Sequence, residues 1–199
     1  MDRDFNSADE TQWHGSSVLA VSCLLLVVAA LFGSAFSVAE DNWMGAAAWA
    51  ACATIGVLAL IFRRTLPPLF GLLLIIAAVV NTAGYVFDLW RDRTMFDEIV
   101  HAFTTFAGLA SAGWLFLRQR PQAGDKLIWI AVGVGLAAGL AWEAFEYAIG
   151  MIGDLKDTII DLVMDMIGAA AAGALVRWLA EPGVASESVS HGIIQTQTR

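Results

Sequence analysis

The sequence predicts an all-α integral membrane protein, a polytopic helical bundle that crosses the bilayer about six times. Of its 199 residues, 58% are hydrophobic and only 15% are charged, which is far from the composition of soluble domains. The apolar residues fall into runs of about 20, the length that a helix needs to cross the hydrocarbon core. Charged or proline-containing breaks separate these runs, so each run is expected to be one transmembrane helix.

Six segments have this length and define a transmembrane domain over residues 16–180. The connections between them are short, so consecutive helices are expected to pack as antiparallel neighbours. The polar ends of the chain, residues 1–15 and 181–199, are predicted to be flexible tails. The predicted spans are residues 16–38, 44–62, 68–90, 97–117, 127–149 and 159–179.

The distribution of basic residues predicts that both termini lie in the cytoplasm. In that orientation most of the 11 Lys and Arg residues lie on the cytoplasmic side, and only Arg91, Arg93 and Lys156 lie outside. The positive-inside rule favours this arrangement. We therefore expect a multi-pass protein of the inner (cytoplasmic) membrane, with both tails inside the cell.

The net charge of −8 does not indicate an acidic surface, because many Asp and Glu residues lie in or beside apolar segments. Nucleic acid is therefore not an expected partner, whereas membrane lipids are. Gly135 and Gly139 form a GxxxG pattern, which permits close helix packing. The pattern is compatible with a homo-oligomer but does not by itself predict one.

The most informative feature is a set of ionisable residues within the later predicted spans. Spacings of three or four put the members of each group on one face of their helix. Under the predicted topology, all the groups lie in the outer half of the membrane. The groups are Asp97 and His101 in the fourth span, Glu143 and Glu146 in the fifth, and Asp157, Asp161 and Asp165 at the start of the sixth.

An ionised side chain at the centre of a membrane helix costs about 2.5–3.5 kcal/mol, so these residues are expected to face one another or a hydrated cavity. Several carboxylates around one imidazole cannot all be ionised without a compensating positive charge. A metal ion, bound protons or nearby basic side chains would supply that charge. Carboxylates with a single imidazole suit a hard or borderline divalent ion, so a divalent metal is the leading hypothesis for a cofactor.

We therefore predict a metal site with an adjacent base. Glu143 is the expected catalytic base. Two further polar residues of the third span, Asn81 and Asp88, are weaker candidates, because an Asn in a membrane helix commonly bonds to a neighbouring helix and Asp88 lies near the interface. Asp157 is a further polar candidate of the site. The predicted metal ligands are His101, Glu146, Asp161, Asp97 and Asp165.

Two other functions fit the same residues, and enzymatic activity is left open. The first is a proton- or ion-coupled transporter whose carboxylates relay the ion, although the charged residues are confined to one half of the membrane. The second is a non-enzymatic subunit or assembly factor, in which a hydrogen-bonded network of carboxylates only fixes helix packing. The sequence has no Gly-rich phosphate loop, nucleophile elbow or HExxH pattern, so the chemistries that use these motifs are not supported.

From Tyr85 to Gly173 the sequence resembles the YjdF-like family of bacterial inner-membrane proteins of unknown function. The resemblance rests on motifs in a fixed order, which makes it fairly specific. They are Asp-x-x-x-His at Asp97, Glu-x-x-Glu at Glu143, and Gly-Asp-x-x-Asp-Thr-x-x-Asp from Gly153, before a Gly-Ala-rich helix. The resemblance implies a multi-pass inner-membrane protein and assigns no chemistry.

A more distant similarity is to VanZ-like proteins, which are associated with teicoplanin resistance. The sequence departs from their pattern with Glu98 where a Lys is usual, Glu146 for a Gln and Asp165 for an Asn. By analogy, this similarity implies an envelope or lipid-linked substrate. The leading functional hypothesis is therefore an acidic, histidine-containing site, open to the extracytoplasmic face, that binds or processes such a substrate with the help of a metal.

Overall fold

The computed structural model describes residues 5–87, 89, 95–150 and 154–180, with side chains from residue 17 onward. These residues form helices joined by short turns and contain no β-strand, which confirms the all-α prediction. The helices are α1 (Phe5–Ala39), α2 (Trp43–Phe62), α3 (Pro68–Val86), α4 (Phe96–Gln119), a short 3₁₀ helix (Pro121–Lys126), α5 (Leu127–Ala148) and α6 (Leu155–Ala180).

Six helical segments among these residues are long and apolar enough to cross a membrane, which confirms the predicted number. Many large apolar side chains on them are exposed, including Leu25, Phe32 and Val163. A soluble monomer rarely exposes apolar surface so extensively, whereas lipid solvates it. The segments are Ser17–Ala39, Trp43–Phe62, Pro68–Val86, Phe96–Gln119, Pro121–Ala148 and Leu155–Ala180.

Local sequence signals explain where several helices begin and end. The Asn42 side chain caps α2 by accepting a hydrogen bond from the Gly45 backbone N–H at 2.8 Å, and Pro68 suits the first position of α3. Helix α4 ends at Gln119, because the residue before a proline, here Arg120, is disfavoured in the α conformation.

Two boundaries differ from the prediction. Helix α1 begins at Phe5, within the segment predicted to be a tail. Helix α6 begins at Leu155 rather than at residue 159, because the Asp154 carboxylate accepts a hydrogen bond from the Asp157 backbone N–H at 2.9 Å and so caps an earlier turn. The predicted end of the third span and the C-terminal tail lie outside the described residues.

Helix packing only partly follows the chain order. Helix α1 packs mainly against α2, and α5 packs against α6, as expected for antiparallel neighbours. The main partner of α4, however, is α6 rather than α5, so α6 lies between α4 and α5. Helix α3 joins the two halves of the bundle, because it contacts both α2 and α4.

Small residues allow the close approach of α6 to its neighbours. A Cβ atom at Gly168 would overlap the Ala102 carbonyl oxygen of α4, and one at Gly135 would meet the Ala169 side chain of α6. The GxxxG pattern of α5 is therefore used for packing within the chain.

Candidate metal site at the acidic end of the bundle

Antiparallel packing brings together the start of α4, the end of α5 and the start of α6. We call this part of the bundle the acidic end, because it contains Asp97, Glu146 and Asp161. The direct contacts are made by Asp165, whose carboxylate lies against His101 of α4 and against Gly139 of α5. Polar residues of α4 and α6 thus meet in space although they are far apart in sequence, by 60 positions for Thr105 and Asp165.

Asp97, His101 and Asp161 form a compact group, which we call the Asp–His–Asp cluster. One potential ligand atom from each residue lies within 4.8 Å of the other two. Asp161 is buried, with 3% of its surface exposed, while the Asp97 side chain is 33% exposed and forms the open side of the cluster. The helical rise of about 1.5 Å per residue puts Asp161 roughly 9 Å from the start of α6.

The two ring nitrogens of His101 face different carboxylates. Nε2 lies 3.5 Å from Asp97 Oδ1, within the cluster, and Nδ1 lies 3.4 Å from Asp165 Oδ1. The Thr105 hydroxyl donates a hydrogen bond of 2.6 Å to the same oxygen of Asp165. Asp165, on α6, therefore contacts two side chains of α4, and its position fixes the orientation of the imidazole.

Two buried carboxylate oxygens have no hydrogen-bond partner among the described residues. They are Asp161 Oδ1 and Glu143 Oε1, and Glu143 itself is only 5% exposed. Glu143 is close enough to interact electrostatically with both Asp97 and Asp161. A buried oxygen without a donor costs about 1–3 kcal/mol.

Glu146 has a different environment from the other predicted ligands. Its Oε1 atom accepts a hydrogen bond of 2.9 Å from the Trp142 indole N–H, one turn earlier on α5. It interacts electrostatically with Asp97 and His101 but does not belong to the Asp–His–Asp cluster.

The remaining predicted residues lie outside the Asp–His–Asp cluster, although Asp157 interacts electrostatically with both Asp97 and Asp161. Asp157 is exposed on the first turn of α6, and Asn81 is half-buried on α3. Asp88, with Arg91 and Arg93, lies outside the described residues. The structure thus gathers Asp97, His101 and Asp161, places Asp165 directly behind the imidazole, and leaves Asp157 at the surface.

Sequence reasoning missed three polar side chains of this region. Thr105 donates to Asp165, Trp142 donates to Glu146, and Tyr85 of α3 interacts electrostatically with Glu146 and Asp97. The spacing of four residues between His101 and Thr105, and between Trp142 and Glu146, is a signal that each pair shares a helix face. Nothing in the spacing links Tyr85 to the site, because it lies on a separate helix.

The fold and the cluster define a membrane protein with six candidate spanning helices and an acidic group within them. The chain belongs to the family described as predicted membrane protein DUF2238, whose model matches residues 19–181. This match confirms the predicted membership of a YjdF-like membrane protein family, whereas the similarity to VanZ-like proteins stays a prediction. No curated protein and no solved structure matches the chain.

Proposed function

We propose that the protein binds a divalent metal ion at the acidic end and uses it to bind or process an envelope or lipid-linked substrate. The ligands are the Asp97 carboxylate, His101 Nε2 and the Asp161 carboxylate. The observation that supports this most directly is that Asp161, a member of the Asp–His–Asp cluster, has a buried Oδ1 atom with no hydrogen-bond partner among the described residues.

The dimensions of the cluster suit an ion. Ligand atoms at about 2.0–2.6 Å from a bound ion are at most roughly 5 Å apart, and the cluster atoms lie within 4.8 Å of one another. Two carboxylates and a neutral imidazole carry a charge of about −2, which a divalent ion balances. The mixture of oxygen and imidazole ligands favours a hard or borderline ion.

The orientation of His101 also supports metal binding. A metal-bound histidine usually donates its second ring N–H to a carboxylate or carbonyl oxygen, which fixes the tautomer. Asp165 lies at Nδ1 in this position and is itself held by Thr105. We therefore assign Asp165 to positioning His101, rather than to direct coordination.

Glu143 is the best-placed base. Its Oε1 atom is buried without a hydrogen-bond partner among the described residues, and Glu143 lies in electrostatic range of the cluster. A bound divalent ion would supply Lewis-acid chemistry to water or a phosphate oxygen. Asp97, whose side chain is 33% exposed, is the ligand that a substrate would meet first, and we infer a lipid-linked substrate because the cluster lies on candidate membrane-spanning helices.

A metal titration tests this function. Detergent-purified protein is stripped with a chelator and then titrated with Zn²⁺, Mn²⁺ or Mg²⁺ while its unfolding temperature is measured. An ion at about 100 times its Kd stabilises the native state by about 2.7 kcal/mol, so a clear increase in Tm is expected. Asp97→Asn should reduce the increase, whereas Glu98→Gln, the next residue on α4, should retain it. The absence of a response to any ion in the wild type would contradict the proposal and favour proton movement or a purely structural network.

A further inference from the structure

A second polar site lies at the opposite end of the bundle, which we call the arginine end because Arg118 and Arg177 lie there. A cavity of about 350 Å³ opens between the end of α4, the 3₁₀ helix and the end of α6. This volume is within the range of small-molecule sites, about 300–1,000 Å³. The lining includes Trp114, Leu117, Arg118, Pro121, Asp125 and Arg177.

One residue of the cavity lining, Trp114, carries a buried hydrogen-bond donor without an acceptor among the described residues. The Trp114 Nε1 atom is buried and has no partner among the described residues, while its ring packs edge-on against Phe70 with centroids 5.8 Å apart. A buried donor without an acceptor costs about 1–3 kcal/mol. A ligand that brings an acceptor oxygen to the indole N–H would remove this cost.

Two guanidinium groups give the cavity a positive character. Arg118 Nη1 donates a hydrogen bond of 3.0 Å to the Thr65 carbonyl oxygen, which uses one of its five N–H groups. Arg177 Nη2 lies 3.7 Å from the carboxylate of Asp125, whose side chain is 93% exposed. Such an exposed pair contributes about 0–1 kcal/mol, so another anion can replace the Asp125 carboxylate at little cost.

The positions of the arginines have a simpler partial explanation. Each lies in the last turn of its helix, where basic residues interact favourably with the helix dipole. This effect accounts for positive charge at the helix ends, but it does not account for the unpartnered indole N–H of Trp114 in the same cavity lining.

We propose that this cavity binds the phosphate group of an anionic phospholipid. The cavity lining combines two arginines and Trp114 with apolar surface from Leu117 and Pro121, which matches a charged head group attached to acyl chains. Exposed Trp129 and Trp178 lie near the same helix ends, as is typical of a membrane interface. Basic pockets between membrane helices bind lipid head groups in this way.

Native mass spectrometry tests the proposal on the full chain in detergent. Phosphatidylglycerol and phosphatidylcholine are added at equal concentration, and the lipid retained by the protein is identified. Both lipids carry a phosphate, but the choline cation cancels the net negative charge of phosphatidylcholine. We therefore expect one phosphatidylglycerol to be retained with a preference of about tenfold or more, given about 1 kcal/mol per arginine for attraction to an anionic lipid. Equal retention of the two lipids would contradict the proposal.

Variants identify the site. Arg118→Gln and Arg177→Gln should each reduce retention of phosphatidylglycerol by about tenfold, whereas Arg120→Gln, an exposed residue outside the cavity lining, should leave it unchanged. Trp114→Phe should weaken retention while keeping the ring against Phe70. If the arginine variants retain the lipid as the wild type does, the cavity is not its site.

Two further measurements distinguish lipid binding at this cavity from loss of folding and from binding of a soluble anion. Asp125→Asn removes the competing carboxylate, so it should tighten lipid binding, an effect that loss of folding would not produce. Inorganic phosphate at millimolar concentration should not displace phosphatidylglycerol. Displacement by phosphate would show a site for a soluble anion and would overturn the assignment to a lipid.

Discussion

Asp157 and Asp161 lie one turn apart on α6, yet the first is exposed and the second is buried. The regular spacing of Asp157, Asp161 and Asp165 predicted a shared helix face, and it could not show how far α4 covers that face. The part of this helix face that α4 covers begins at Asp161, which lies close to His101 and Asp97. The first aspartate instead lies beside the Asp154 cap, where the chain enters the helix.

Asp165 should influence metal binding without being a ligand. Asp165→Asn preserves the size of the side chain but removes the negative charge that faces His101 Nδ1. We expect the metal affinity to fall by about 10–100-fold, as for other residues that orient a metal-bound histidine, and metal binding to persist at high concentration. The measurement is a titration of stripped protein. An unchanged affinity would contradict the positioning role.

The sequence prediction and the structural interpretation differ in the role of Glu146. The sequence prediction made it a metal ligand, whereas the structural interpretation does not. Because its carboxylate is bonded to Trp142 and lies outside the Asp–His–Asp cluster, Glu146→Gln should retain the metal with an affinity within about threefold of the wild type, since an exposed hydrogen bond contributes little. The same titration measures this. A loss of the metal would instead restore Glu146 as a ligand.

Helix packing around α6 determines the geometry of the site. A Cβ atom at Gly139 of α5 would overlap the Asp165 carboxylate. The absence of a side chain at Gly139 therefore leaves the space that the Asp165 carboxylate occupies between α5 and α4. The sequence placed the polar groups at the correct end of each helix, because antiparallel order follows from short connections. It did not predict α6 as the main partner of α4, because periodicity defines a buried face and not the helix that covers it.

Gly139→Ala should therefore change the position of Asp165 in the site while α5 itself stays helical. We expect Asp165 to be displaced and metal affinity to fall, together with a destabilisation of about 1–3 kcal/mol from overpacking. The matched control is Gly133→Ala on the same helix, where a Cβ atom would meet nothing within 4 Å. That control should be neutral or stabilising by up to about 1 kcal/mol. Similar thermal unfolding and metal binding in both variants would contradict the packing argument.

The overall architecture was the most predictable property of the molecule, because the length of an apolar run is enough to identify a membrane-spanning helix. All six candidate spans were expected from runs of apolar residues, and the cost of burying charge pointed to one polar site. The cavity at the arginine end was not foreseen. Its lining comes from the ends of α4 and α6 and from the 3₁₀ helix, and no sequence spacing links these segments.

Labelling of single cysteines tests the predicted orientation. Lys156 and Gln122 are both exposed but lie at opposite ends of the bundle, and the native cysteines, Cys23 and Cys52, are buried. With both termini in the cytoplasm, Lys156→Cys should react with a membrane-impermeant maleimide in intact cells, and Gln122→Cys only after permeabilisation. The reverse pattern would show that the acidic end faces the cytoplasm.

The central claim is that the acidic end holds a divalent metal ion, and elemental analysis of the detergent-purified protein tests it most directly. We expect about one divalent ion per chain in the wild type and in Asp157→Asn, and none in Asp161→Asn, with all three proteins folded by circular dichroism. Full occupancy in Asp161→Asn, or no metal in the wild type after supplementation with divalent ions, would contradict the account.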